Sequence, residues 1–184
     1  MQKPRLQEKY DKDVKEELVK EFEIKNSMAL PFVEKVVVNM GVGEAARNKE
    51  LFESLKKDMT NLTGQLGSVR ASKVSIASFN LRQGMPVGLS VTLRGERMFS
   101  FLDKLVSIVL PRLRDFRGVS ASIFDKYGNF TLGIVEHTVF PEIDMSKSAP
   151  PHGVEVTIVV KNSDPEKSKR LLELLGMPFQ KADN

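Results

Sequence analysis

The 184 residues include only two histidines, His137 and His152, and no cysteine. The side chains that most often serve as nucleophiles, general bases or zinc ligands are therefore almost absent. Neither histidine belongs to an H-E-x-x-H helix, and the chain has no nucleophile elbow and no P-loop. His137 falls in or beside a strand and reads as structural. Glu142 and Asp144 form a carboxylate pair in a loop without an adjacent base, so they read as solvated. One stretch imitates a cofactor site. Gly41-Val42-Gly43-Glu44-Ala45-Ala46 fits G-x-G-x-x-A between an expected strand and an expected helix. A dinucleotide site also needs a ribose-binding acid about 20 residues further on. Between Asp58 and Glu96 there is none, and Glu44 would oppose a pyrophosphate. The expectation is a chain that is not an enzyme, with no cofactor, no metal and no small-molecule substrate. The glycines are still expected to allow close backbone approach, and the amides of a helix start to bind a phosphate.

Polyanion binding fits these residues better. Residues 1–60 carry 12 basic and 12 acidic side chains, residues 61–120 carry 9 and 3, and residues 121–184 carry 7 and 9. The net +4 of the chain thus hides a +6 middle third, in which seven of the nine cations are arginine. A planar guanidinium suits phosphate better than an ammonium does, and a localised positive block is the footprint of nucleic acid.

Within that block, Val87, Leu89, Val91 and Leu93 alternate with Gly88, Ser90, Thr92 and Arg94. One face of such a strand is apolar. The other is low, hydroxylated and ends in a cation, a surface on which an RNA backbone can lie. In the preceding strand Lys35, Val37, Asn39 and Gly41 extend it. No exposed aromatic pair accompanies them, so the expected mode is recognition of a folded RNA by shape. The segment Ser72 to Pro86 is the second distinctive feature. It has Lys73 and Arg82, several hydroxyl and amide side chains and no acid. It also carries Val74, Ile76, Phe79 and Leu81, which suggests a loop that becomes ordered against a partner.

The elements that position these residues follow from periodicity. Leu6, Tyr10, Val14, Leu18 and Phe22 recur every fourth residue and predict an N-terminal helix within residues 1–24. Strands are expected at Val33–Met40, Gln65–Ala71, Val87–Leu93, Phe130–Val135 and Val154–Val160. Helices are expected through Leu51–Leu62, stopping near Gly64, from Glu96 to about Leu110, and after Asp164-Pro165 up to Gly176. The sum is one α+β domain over residues 1–184, with a mostly antiparallel five-stranded sheet, helices packed on one side, and long loops at 72–86 and 141–153. No apolar run approaches the roughly 20 residues that span a bilayer, so no membrane partner is expected. The charged first 20 residues and the lack of cysteine suit a reducing cytoplasm.

Five motifs occur in order: Asn39-Met40-Gly41-Val42-Gly43-Glu44-Ala45, Arg82-Gln83-Gly84, Val91-Thr92-Leu93-Arg94-Gly95-Glu96-Arg97-Met98, Pro111-Arg112-Leu113-Arg114-Asp115-Phe116-Arg117-Gly118 and Phe140-Pro141-Glu142-Ile143-Asp144. With them the chain resembles, over almost its whole length, the bacterial-type large-subunit ribosomal proteins of the L-five family. That resemblance implies a ribosome-bound protein of the central protuberance that carries 5S rRNA. Asn39, Gly41, Gly43, Gln65, Thr92 and Arg94 would face the 5S rRNA, joined on the sheet by Lys35 and Ser90. Ser72, Lys73, Ser75, Ser78, Arg82 and Gln83 would meet P-site tRNA. Asp144, Lys147 and His152 would reach a small-subunit head protein. Further implied partners are 23S-type rRNA and neighbouring large-subunit proteins. A free-standing module for structured RNA is the alternative, and a nucleotide enzyme a distant third.

Overall fold

A computed structural model describes residues 3–114, 116–120, 123–144 and 150–180, apart from the side chains of Glu44 and Ala46. The helices are α1 (Arg5–Lys9), α2 (Lys15–Phe22), α3 (Lys49–Thr63), α4 (Gly95–Lys104), α5 (Leu110–Arg112) and α6 (Pro165–Leu175). The strands are β1 (Phe32–Gly41), β2 (Ser68–Ala71), β3 (Pro86–Leu93), β4 (Phe130–Ile134) and β5 (Val154–Lys161). They form one antiparallel sheet in the order β2-β3-β1-β5-β4, the α+β arrangement expected from the pattern. Contacts divide the chain into two compact units. Unit 1 comprises residues 1–36, 94–132 and 157–184, and unit 2 comprises 37–93 and 133–156.

In unit 1 the N-terminal helical run supplies Leu6, Tyr10, Val14 and Leu18 as buried residues, the period of four that predicted it. A π turn at Tyr10–Val14 joins α1 to α2. Arg5 pairs with Asp103 of α4 and donates to Ser107 Oγ at 3.0 Å, which fastens α1 to α4. A second π turn, Leu105–Val109, precedes Pro111. In a regular α-helix the proline ring would strike the carbonyl four residues back, and a wider turn relieves that clash. The helix therefore continues to Arg112 and becomes extended only at Leu113. Asp164 caps α6 by accepting from Lys167 N–H at 2.9 Å, with Pro165 in its first turn, as the sequence indicated. Gly128 is fixed by space: a Cβ there would lie 2.4 Å from Ser168 Oγ.

In unit 2, α3 buries Leu55, Met59 and Leu62 together with Val38, Met40, Leu89, Val91 and Leu93 of β1 and β3. It ends at Gly64, whose φ of +67° only glycine adopts without strain. Thr63 Oγ1 donates to the Gln65 carbonyl at 2.9 Å, so the chain is still turning there. That turn is why β2 starts at Ser68 rather than at Gln65.

Candidate RNA interface

Register creates the surface of unit 2. Arg70 pairs with Gly88 and Ser68 with Ser90 across the β2–β3 ladder. Paired residues share a face, and so do residues two apart in a strand. Ser68, Arg70, Gly88, Ser90 and Thr92 therefore lie together, opposite the buried Leu89, Val91 and Leu93. A Cβ on Gly88 would lie 3.3 Å from the Met40 carbonyl, 3.9 Å from Asn39 Oδ1 and 4.0 Å from Arg70 Cβ. Gly88 is thus a buried floor without a side chain, between an exposed arginine and a half-buried amide. Asn39 Nδ2 donates to Glu155 Oε2 at 3.5 Å. These two residues, with Gly41, Gly133 and Gly153, border a shallow depression of about 360 Å³. Gln65 Nε2 donates to the Thr92 carbonyl at 3.3 Å, so its amide braces the end of β3. Arg70 is the residue that sequence reasoning missed. Its strand is four residues long and fully exposed, with no alternation to read, and only pairing with β3 fixes its face.

The glycine-rich stretch after β1 departs from expectation. Gly43 takes a φ of +48° and opens a 3-10 turn, Gly43–Arg47. The next helix begins only at Lys49. Asn48 caps it, its side chain accepting from Glu50 N–H at 3.0 Å and Leu51 N–H at 3.4 Å. The helix-start amides expected to hold a phosphate are occupied by this cap, because a residue able to cap precedes them. With an antiparallel sheet and a capped α3, the dinucleotide reading is excluded.

Unit 1 presents its own charged group. Arg94 Nη1 donates to Glu34 Oε1 at 3.2 Å. That hydrogen bond, with the positive charges of Lys35, Arg94 and Lys161, holds the Glu34 carboxyl below its usual range. Three cations around one carboxylate leave this surface at +2. Arg94, foreseen as a phosphate ligand, is exposed but already half-committed to Glu34. Lys161 was not foreseen.

The 72–86 segment is an ordered extension of the β2–β3 hairpin, not a loop awaiting a partner. At its base Ser72 N–H donates to the Met85 carbonyl at 2.8 Å, and Gly84 N–H to the Ser72 carbonyl at 3.0 Å. Ile76 and Leu81 exchange two backbone hydrogen bonds of 2.9 and 3.0 Å beneath a tip at Ala77–Phe79. Ser72 Oγ donates to the Val74 carbonyl at 2.7 Å, and Ser75 Oγ accepts from Gln83 N–H at 2.9 Å. These hydroxyls shape the segment. Lys73, Ser78, Arg82 and the Gln83 side chain are exposed.

In the far loop, Lys147 lies outside the described residues. Asp144 is exposed, and His152 is half-buried with its ring Nδ1 on the Pro150 carbonyl. His152 N–H donates to His137 Nδ1 at 3.1 Å. The proton of neutral His137 therefore sits on Nε2, which faces Asp58 Oδ2 at 3.5 Å. His137 is fully buried and ties the loop to α3, the structural role its strand-side position implied.

An antiparallel sheet with helices, and arginines left exposed, define a basic α+β protein. Among the described residues no cluster of three or more His, Cys, Asp or Glu could hold a metal ion. Residues 26–82 match the family Ribosomal protein L5, and residues 86–179 match the C-terminus of the same ribosomal family. A protein of Corynebacterium diphtheriae named large ribosomal subunit protein uL5 is 49% identical over 180 residues, covering 98% of this chain and 96% of the relative. One of the same name from Thermoanaerobacter sp. strain X514 is 51% identical over 177 residues, covering 96% and 99%. The chain belongs to the ribosomal protein L5 family.

Proposed function

We propose that this chain is a structural constituent of the large subunit of cytoplasmic ribosomes and binds 5S rRNA there. Family membership supports the ribosomal role. The observation that carries the RNA reading is the low polar face of unit 2, where Arg70 and Asn39 stand on either side of the buried Gly88, which adds no side chain between them. Ser68, Ser90 and Thr92 add hydroxyls that pair with phosphate and with the 2′-hydroxyl of RNA. Gly41 and Gly43 keep the neighbouring surface low, and Gln65 holds the Thr92 end of β3 in place. Lys35, Arg94 and Lys161 of unit 1 supply separate phosphate contacts.

Four further partners complete the reading. The same basic character serves 23S-type rRNA and neighbouring large-subunit proteins. The hairpin extension, through Lys73, Ser78, Arg82 and Gln83 on a frame set by Ser72 and Ser75, meets P-site tRNA. The 141–153 loop, with Asp144, Lys147 and His152, meets a small-subunit head protein.

Filter binding of the purified protein to 5S rRNA across a salt series tests the central claim. Arg70→Ala and Arg94→Ala should each weaken binding about tenfold, the scale of one lost charge-assisted contact. Each should also flatten the log–log salt slope by about 0.7–0.9. Salt-independent binding, or a folded Arg70→Ala variant that binds normally, overturns the assignment.

A further inference from the structure

The hairpin tip carries a feature that its cations do not explain. Phe79 is 72% exposed, and its backbone carbonyl is held by a side chain from another segment. Arg47 Nη2 donates to the Phe79 carbonyl at 3.3 Å. Asn80, at a φ of +51°, closes the tip by donating its N–H to the Ala77 carbonyl at 3.0 Å. The Ile76–Leu81 pair locks the stem beneath. A depression of about 280 Å³ opens beside the ring, bordered by Gly43, Arg47, Phe79, Asn80, Leu81 and Met85. No acid occurs from residue 59 to residue 95, while Arg47, Lys73 and Arg82 are exposed. An exposed aromatic face beside exposed arginine and lysine side chains matches one occupant best. Every nucleobase has a π face and brings a phosphate with it, whereas an apolar peptide gains nothing from the charges.

We propose that Phe79 is a stacking platform for an unpaired base of the tRNA that the hairpin meets, with Arg47 bracing its backbone carbonyl and presenting its charge to the adjoining phosphate. This rests on the tRNA reading of the hairpin given above and adds the residue and the chemistry of contact. No other side chain is needed to desolvate the base, since the depression beside the ring accommodates its edge.

The test uses whole ribosomes reconstituted with full-length variants and follows tRNA dissociation from the P site. Phe79→Ala and Phe79→Leu should both accelerate dissociation by about fivefold to a hundredfold, the effect of losing one base–aromatic stack. Phe79→Tyr and Phe79→Trp should restore the wild-type rate, because each keeps a π face. Rescue by leucine as well would mean simple apolar packing and would overturn the proposal. A photoreactive phenylalanine analogue at position 79 should crosslink to a tRNA base, and a crosslink to protein or rRNA would also overturn it. The double variant Lys73→Ala/Arg82→Ala separates the two levels. If it accelerates dissociation while Phe79→Ala does not, only the stack is wrong. If neither does, the tRNA reading of the hairpin falls with it.

Discussion

Replacing His137 by leucine tests whether the far loop is held by one buried imidazole. The side chain is fully buried, its Nδ1 accepts from His152 N–H at 3.1 Å, and its Nε2 faces Asp58 at 3.5 Å. Leucine fills most of the volume but accepts nothing. Leaving the partly buried His152 amide without its acceptor costs about 1–3 kcal/mol. The Asp58 contact is long for a hydrogen bond, and its loss adds about 0.5 kcal/mol. Together they predict a destabilisation of about 1.5–3.5 kcal/mol, or a fall in Tm of about 3–14 °C for a chain of this size. Urea unfolding of the purified protein should show a lower midpoint at an unchanged m value. His137→Gln, whose amide oxygen can accept from the same N–H, should recover at least half of the loss. Limited proteolysis should cut near residues 150–153 earlier in the leucine variant than in the glutamine variant. A leucine variant within about 0.5 kcal/mol of wild type, the scatter of ordinary surface changes, would refute the latch.

Burial pushes the Tyr10 phenol up to about 12, and its hydroxyl donates to the Pro31 carbonyl at 2.9 Å. Ultraviolet titration should therefore show one of the two tyrosines ionising near that pH. Because the folded value is raised, the stability from Tyr10 is complete below the ordinary tyrosine range and is lost as pH rises towards about 12. Asp164 is held below the usual carboxylate range by the Lys167 side chain and by its N–H. Its contribution is present above the unfolded carboxylate range and disappears as pH falls through the lowered value, and Asp164→Ala should cost about 1 kcal/mol in urea unfolding at neutral pH. Glu34→Gln frees Arg94 and removes a carboxylate from the unit 1 surface, so filter binding should show tighter, more salt-sensitive 5S rRNA association. Replacing Val74 to Leu81 by a short Gly/Ser connector should leave 5S binding intact and loosen P-site tRNA, because the base of the hairpin closes through Ser72, Gly84 and Met85 without the tip.

Much of this protein is written in local pattern. The fourfold spacing from Leu6 to Phe22, the β-branched run of β1, the Asp164-Pro165 start and the Gly64 and Gly176 stops each state one element. Each depends on side-chain direction, capping or backbone freedom within a few residues. The acid-free stretch from residue 59 to residue 95 is likewise a property of sequence alone, and it selected a polyanion partner over a cofactor. Tertiary structure decided what depends on pairing between distant segments. Arg70 joined the polar face only through its register with Gly88, because an exposed four-residue strand carries no periodicity of its own. Arg94 acquired Glu34, 60 residues away, and the 72–86 segment became a hairpin because Ile76 and Leu81 complete each other's hydrogen bonds. Phe79 could not be singled out from spacing, since whether an aromatic enters a core or faces solvent depends on which surfaces remain to cover it. That is settled by packing of the whole chain, and here packing left the ring in the open beside Arg47.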